Sequence, residues 1–499
     1  MSPDRRPAAL TPKGAAPRDS FSRLAISDGL VRVGTAGLVA GAVGLTDAPK
    51  DSLPMIAIAA LALLVGIIGR RTFVRRRHVA AGRIISGLAS TWAVMVLFGT
   101  VVYLATGTIG TVDGALFESA AGFGTVALTT VDPEQLSLPI ALFRGATQWV
   151  GGLLGLLAAV VALPRTMKGR VQIPKGQGRR SDRLVPTIEI GRRRVFRMYM
   201  GLTVACGAGF VATGMSLRGA AIHAMTTVST GGFSDNADSF VSESGGSRLV
   251  ATVFMIVAGT SFFALFWLLR GDTARFSNSP ELRIYLLIIT AVTTLLVIDV
   301  DGLSLGDALF TAASASSTTG HAVTVWTLFP SAALSLLLVA VATGAMGASA
   351  GSGLRVIRAW LLVLFAGSEV RRQLDPNAVI AVNHAERTVG QDELDHLTGY
   401  QIAHFGLCAI GAFMLALTGT ELLDSLWVAI SVVSTSGPSP ATGPFGDADM
   451  LGRVGQLILI PGMLAGRLSI LPLLLAVASL LRLKDWALRQ SRRLVQVGR

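Results

Sequence analysis

Four tripeptides carry the candidate chemistry of this chain: Thr125-Val126-Ala127, Thr230-Gly231-Gly232, Thr318-Thr319-Gly320 and Thr435-Ser436-Gly437. They close four apolar stretches, GALFESAAGFGTVAL, GAAIHAMTTVSTGGF, DALFTAASASSTTGH and DSLWVAISVVSTSGP, each with its threonine 11 residues after Gly114, Gly219, Asp307 or Asp424. Backbone carbonyls of a tight loop can replace the hydration shell of an alkali cation. Glycine gives such a loop access to positive φ and close backbone approach. A helix ending at the loop adds roughly half a negative charge from its C-terminus. Four equivalent pieces therefore suit one cation site. Small residues also permit tight packing of membrane helices, but four sets in register favour a selectivity filter.

Other chemistry finds little support. The chain shows no phosphate loop, no catalytic triad context and no paired intramembrane carboxylates, so an enzyme is not expected. Cys206 and Cys408 lie far apart in apolar runs without metal-ligand spacing, which argues against a disulfide or a zinc site. No covalent cofactor is expected, only an alkali cation held at these loops.

The composition says what must position these loops. With 499 residues, 51% hydrophobic and only 15% charged, and a mean hydropathy of +0.60, the chain reads as a polytopic membrane protein. Its net charge of +13 sits in runs between apolar segments without aromatic interleaving, so nucleic acid is not an expected partner. Ten segments are long enough to cross a bilayer: 28–46, 53–69, 84–107, 138–164, 196–216, 247–269, 283–300, 328–366, 397–419 and 454–481. Lys and Arg crowd alternate connections, with 11 of them between Arg165 and Arg197, and these connections are expected in the cytoplasm together with both termini. The remaining connections are acidic, as with Asp113, Glu118, Asp132 and Glu134, and would concentrate cations at an outer mouth.

Each filter stretch falls in an outward connection. About 11 helical residues span roughly 17 Å, half a bilayer, so each dips in and returns. The expected fold is all-α: four parallel units of helix, pore loop and helix around a pseudo-fourfold axis, preceded by two extra helices. The expected divisions are a basic tail 1–27, the helix pair and basic loop 28–83, repeat 1 at 84–164, a linker at 165–195, repeat 2 at 196–282, repeat 3 at 283–395, repeat 4 at 396–483 and a basic tail 484–499. The basic linker would suit anionic lipid or an acidic partner.

Two further features stand inside the apolar segments. The stretch 328–366 is too long for one crossing, and the run GAMGASAGSG from Gly344 to Gly353 should unwind it. Arg467, the one charged residue between Arg453 and Arg482, lies roughly 21 Å from either end, too deep to snorkel. It must face the interior, as a positive barrier or as a partner of carbonyls or an acidic residue.

In these features the chain resembles the membrane subunit of the Trk/Ktr/HKT superfamily of potassium transporters, and is most similar to its bacterial Trk branch. The resemblance rests on FRGATQWVGGLLGLLAAVVALP (143–164), STGGFS (229–234), STTG (317–320), GAMGASAGSGLRVIR (344–358) and GMLAGRLSILPLL (462–474), and covers roughly residues 28–490. It implies filter roles for the four tripeptides. It implies an intramembrane gating loop containing Gly344, Gly347, Ser349, Gly351, Ser352 and Gly353, with Arg467 as a positive barrier beside it. It also implies a homodimer working with a cytosolic ring of nucleotide-binding regulatory subunits in the cytoplasmic membrane.

The first filter departs from the family pattern. Ala127 stands where glycine is usual, after Val126, and Gly124 replaces the serine of the other repeats. An alanine resists positive φ by about 1 kcal/mol or more, so a turned carbonyl or reshaped loop is expected. In the plant branch a non-glycine residue here accompanies sodium transport, so a sodium-permeable or poorly selective transporter, or a non-conducting scaffold or regulatory homologue, stands beside potassium uptake. His321, where the family usually has an apolar residue, would put a titratable side chain at the outer mouth.

Overall fold

The computed structural model describes residues 20–72, 81–162, 188–375, 383–384 and 387–468. Residues 1–19 of the expected N-terminal tail, the C-terminal tail 484–499, most of the basic linker and residues 469–481 of the last crossing lie outside the described residues, whereas residues 20–27, expected in the tail, are already helical.

Two helices, α1 (Ser20–Val43) and α2 (Pro49–Thr72), pack on each other and against the first repeat. Repeat 1 is α3 (Ala81–Ala105), α4 (Val112–Gly124) and α5 (Leu138–Leu157), the last continued by a π turn at Ala158–Ala162. Repeat 2 is α6 (Ile188–Ala212), α7 (Leu217–Val228), α8 (Gly245–Gly259) and α9 (Phe262–Leu269), followed by the short α10 (Thr273–Ser277). Repeat 3 is α11 (Pro280–Asp299), α12 (Leu305–Ser317), α13 (Ser331–Thr343) and α14 (Val356–Leu374). Repeat 4 is α15 (Gln391–Ala416), α16 (Leu422–Val433) and α17 (Gly452–Leu468). One hairpin, Asn383–His384 with Arg387–Thr388, interrupts this all-helical fold between α14 and α15.

Among the described residues, seven helices are long and apolar enough to cross a membrane, eight if α8 and α9 form one span. Their outer faces expose large apolar side chains such as Leu61, Val204, Leu287 and Ile410, the pattern of a lipid-facing surface. The four short helices α4, α7, α12 and α16 have 12 or 13 residues each, half a crossing. Three of them start on a side-chain cap, with Thr111, Ser216 and Ser304 accepting from Gly114, Gly219 and Asp307 amides. Each cap contributes ~1 kcal/mol.

Two crossings are broken. The expected break in 328–366 is present, with non-helical backbone from Gly344 to Arg355. The second was not expected: segment 247–269 bends by 106° between α8 and α9. Here the sequence-based expectation of one continuous helix is corrected, and the reason lies 90 residues away. The Met346 and Ala350 amides donate to the Gly259 and Ala258 carbonyls at 3.0 and 3.1 Å, and the Phe262 amide donates to Ala348 O at 3.0 Å. Backbone groups freed in the membrane interior must be satisfied by protein. The loop of repeat 3 and the bend of repeat 2 satisfy each other.

Candidate functional site: four threonine turns and the loop beneath them

The four short helices end in the same way. Thr125, Thr230, Thr318 and Thr435 adopt left-handed backbone with φ of 54, 53, 60 and 59°. Each threonine amide donates to the carbonyl three residues back, and the next amide donates five residues back: Val126 to Ala121, Gly231 to Thr226, Thr319 to Ser314 and Ser436 to Ser431, at 2.8 to 3.0 Å. This pair of bonds is the Schellman motif, in which the left-handed residue is usually glycine. A β-branched residue there is an outlier, strained by ~1–3 kcal/mol. Four identical outliers in four repeats point to a use for the threonine side chain and its carbonyl, although all four residues are buried.

Those groups are available. Among the described residues no protein donor reaches the carbonyls of the four threonines. The buried hydroxyls of Thr125 and Thr435 have no partner, whereas Thr230 donates to Ser229 O and Thr318 accepts from the Ser352 amide at 3.0 Å. The C-termini of the four helices add their partial negative charges at this level. Oxygen groups and negative potential gathered at one level are the features by which a protein can hold a small cation.

The order of the repeats around the site follows from close approaches at the glycines. A Cβ on Gly232 would collide with the Thr319 carbonyl, one on Gly320 with the Ser436 carbonyl, and one on Gly437 with the Ala127 backbone. Gln148 of α5 joins the first two repeats, its amide donating to Gly231 O at 2.7 Å and to Val126 O at 3.4 Å while its Oε1 accepts from the Phe233 amide at 3.0 Å. The repeats thus form a ring in the order 1, 2, 3, 4. Gly232, Gly320 and Gly437 have φ of 77, 87 and 107°, and Ala127 is not left-handed. The expected reshaping of the first loop is present.

The loops are tethered differently. In repeats 3 and 4 a serine of the short helix holds its own strand: Ser314 Oγ donates to His321 O, and Ser431 Oγ donates to Pro438 O. In repeat 1 the corresponding position is Ala121, and the work passes to Glu118. This wholly buried carboxylate accepts from Thr129 Oγ1, from the Thr130 amide and, at 2.7 Å, from Arg144 Nε. Arg144 also donates to Ser234 O at 3.0 Å and stacks over Phe233 at 3.7 Å. Glu118, expected among the cation-concentrating acids of the outer mouth, is corrected: it is wholly buried, its charge taken up by Arg144. Arg144 and Gln148 were not singled out from the sequence. The i, i+4 spacing of Arg144 and Gln148 in an apolar segment is the signal that could have found them.

Beneath the threonines lies the loop of repeat 3. Gly344 and Gly353 meet back to back at its neck, and the Ala345 amide closes it on Ser352 O. Gly347 donates its amide to Glu281 Oε1, Ser349 Oγ bonds Met346 O, and Gly351 presses on the Ser317 carbonyl beside Thr318. Arg467 is buried and donates to Gly152 O at 2.8 Å, Gly151 O at 3.3 Å, Ala350 O at 2.7 Å and Ser352 Oγ at 3.5 Å. Of the readings open for it, a partner of carbonyls is the one observed. No carboxylate is among its described partners, and its charge is met by carbonyl and hydroxyl oxygens. Reaching from repeat 4 to repeat 1 and to the loop of repeat 3, which stand opposite one another, it spans the inner end of the ring.

His321 is corrected. It is buried rather than at the outer mouth, in contact with Phe240 and His223 at ring distances of 4.9 and 5.7 Å and hydrogen-bonded to Thr227 Oγ1 at 3.1 Å. Cys206 and Cys408 are free and buried.

Comparison with known proteins agrees with this geometry. A family model described as "TrkH: Cation transport protein" matches residues 67–299 and 280–484. The Trk system potassium uptake protein TrkH of Halomonas elongata is 30% identical over 446 residues, covering 84% of this chain and 90% of that protein. The Escherichia coli protein of the same name is 28% identical over 382 residues, covering 73% and 78%. The crystal structure of the potassium transporter TrkH from Vibrio parahaemolyticus superimposes with a TM-score of 0.80 at 25% identity, covering 91% of this chain and 98% of that one.

Proposed function

The chain belongs to the TrkH family of cation transport proteins and is a multi-pass membrane protein, and from that premise we propose that it takes up potassium through a pore lined by the four tripeptides. The observation that carries this reading is the ring of four strained threonines whose carbonyls no protein donor claims. A dehydrating cation finds oxygen there in place of water, and the four helix C-termini lower its energy further. The residues assigned to the filter are Thr125 to Ala127, Thr230 to Gly232, Thr318 to Gly320 and Thr435 to Gly437.

The loop Gly344–Gly353 is the gate. It touches Thr318 through Ser352, and Arg467 holds it to repeat 1, so the arginine places a positive charge below the ring. Opening requires the loop to leave Arg467, Thr318 and the bend between α8 and α9. A cytosolic nucleotide-binding regulatory ring acting on a homodimer would drive this motion, with both termini on the cytoplasmic side of the cytoplasmic membrane and the basic linker near anionic lipid.

A second reading, sodium permeability, is favoured by one observation: Ala127 departs from the left-handed geometry of the three glycines. Expression in cells lacking potassium uptake, at low external potassium, together with sodium influx into liposomes, separates the readings. Growth rescue supports potassium uptake, and sodium influx alone supports the second reading. If neither ion moves, the chain is a non-conducting homologue.

A further inference from the structure

The tripeptides offer two successive layers of oxygen, one at the threonines and one at the residues beyond them, and the second layer is compromised. Three of the four middle carbonyls already accept protein hydrogen bonds. Val126 O and Gly231 O are held by Gln148, and Ser436 O accepts from the Ala127 amide at 3.1 Å. The last bond crosses from repeat 1 to repeat 4 and exists because Ala127 does not take the left-handed turn of its three counterparts.

The alanine also fills the space. A Cβ built on Gly232 and one built on Gly320 would each lie 2.7 Å from the Ala127 Cβ. Gly232 belongs to the neighbouring repeat and Gly320 to the opposite one. A methyl group close to both stands at the middle of a ring of four. The Ala127 carbonyl, meanwhile, abuts Gly446 in the loop that follows the fourth filter. This turned strand is secured: the Thr129 amide donates to Gly446 O, and Thr129 O accepts from the Ala448 amide, both at 2.9 Å.

We propose that Ala127 abolishes the ion site of the second layer, so that this pore holds one dehydrated cation, at the threonine layer, and the alanine methyl is the steric barrier beyond it. A cation gains nothing from a methyl group in exchange for water, and a site needs several converging oxygens. The inference rests on the cation-pore reading above.

Thallium(I), a potassium stand-in with strong anomalous scattering, provides the test on the full-length protein. Wild type should show one site, level with the four threonines. Ala127→Gly should show a second site at the middle carbonyls, between the threonines and the level of Gly232, Gly320 and Gly437, and Ala127→Ser, which keeps a Cβ, should show one. Thallium(I) influx into liposomes should rise about tenfold in Ala127→Gly, because glycine removes the methyl barrier and takes without penalty the left-handed turn that alanine resists. Two sites in wild type, one in Ala127→Gly, or an unchanged influx in that variant overturns the proposal while leaving the pore intact. Absence of any site in all three proteins overturns the pore reading and the proposal with it.

Discussion

The threonine layer and the layer two residues beyond it are built from the same four repeats, yet only the first keeps their symmetry. Four threonines share left-handed backbone, with φ between 53 and 60°. Two residues on, three glycines are left-handed and Ala127 is not, its amide bonded across to the fourth repeat. The difference shows where the fold enforces equivalence. The first layer is the C-terminal cap of a helix, set by local hydrogen bonds that every repeat can make. The second is held by side chains behind the strand, and these differ: Glu118, Arg144 and Gln148 for repeats 1 and 2, Ser314 and Ser431 for repeats 3 and 4.

The largest way to break this comparison is to remove one partner of the buried Glu118–Arg144 pair. Glu118→Ala strands a buried guanidinium and frees Thr129 and Thr130. It should cost ~3–5 kcal/mol, the range for an uncompensated buried charge, seen as a large drop in thermal unfolding temperature in detergent. The double variant Glu118→Met with Arg144→Met should recover part of that loss; no recovery would mean that the hydrogen bonds to the strand, rather than the stranded charge, set the cost.

Gln148→Leu comes next. It leaves Gly231 O and the Phe233 amide without their partner, at ~1–3 kcal/mol for each buried group. Ser314→Ala, which deletes one bond in repeat 3, should cost about 1 kcal/mol. Equal costs for the two variants would show that the α5 tethers are no stronger than the serine hooks.

The smallest effect has the opposite sign. Thr435→Gly removes a β-branched side chain from a left-handed position and should stabilise the fold by about 1 kcal/mol, while weakening the stabilisation that potassium gives to wild type. A destabilised Thr435→Gly would mean that the threonine is held by packing and not retained for the ion.

Much of this was legible in the sequence. The repeat of 12- and 13-residue half-helices, the break at Gly344, the departure of Ala127 and the burial of Arg467 all follow from local composition and from lengths set against a bilayer. The bend at Gly259 to Ser261 was not, because its cause is the distant loop that docks there. Nor was the position of His321, which depends on Phe240 and Thr227 of another repeat. The tethers from α5 hid for a related reason: a polar side chain in an apolar helix announces a partner without saying which strand it holds.

The central claim is that a cation sheds its water at the threonine layer. Rubidium tracer uptake into liposomes, comparing wild type with Thr125→Val/Thr435→Val, tests it most directly, since these two hydroxyls have no protein partner. The account predicts uptake by wild type that potassium competes away, and a fall of about tenfold or more in the double variant as two of the oxygen ligands vanish. Uptake at the wild-type rate in the double variant would contradict it.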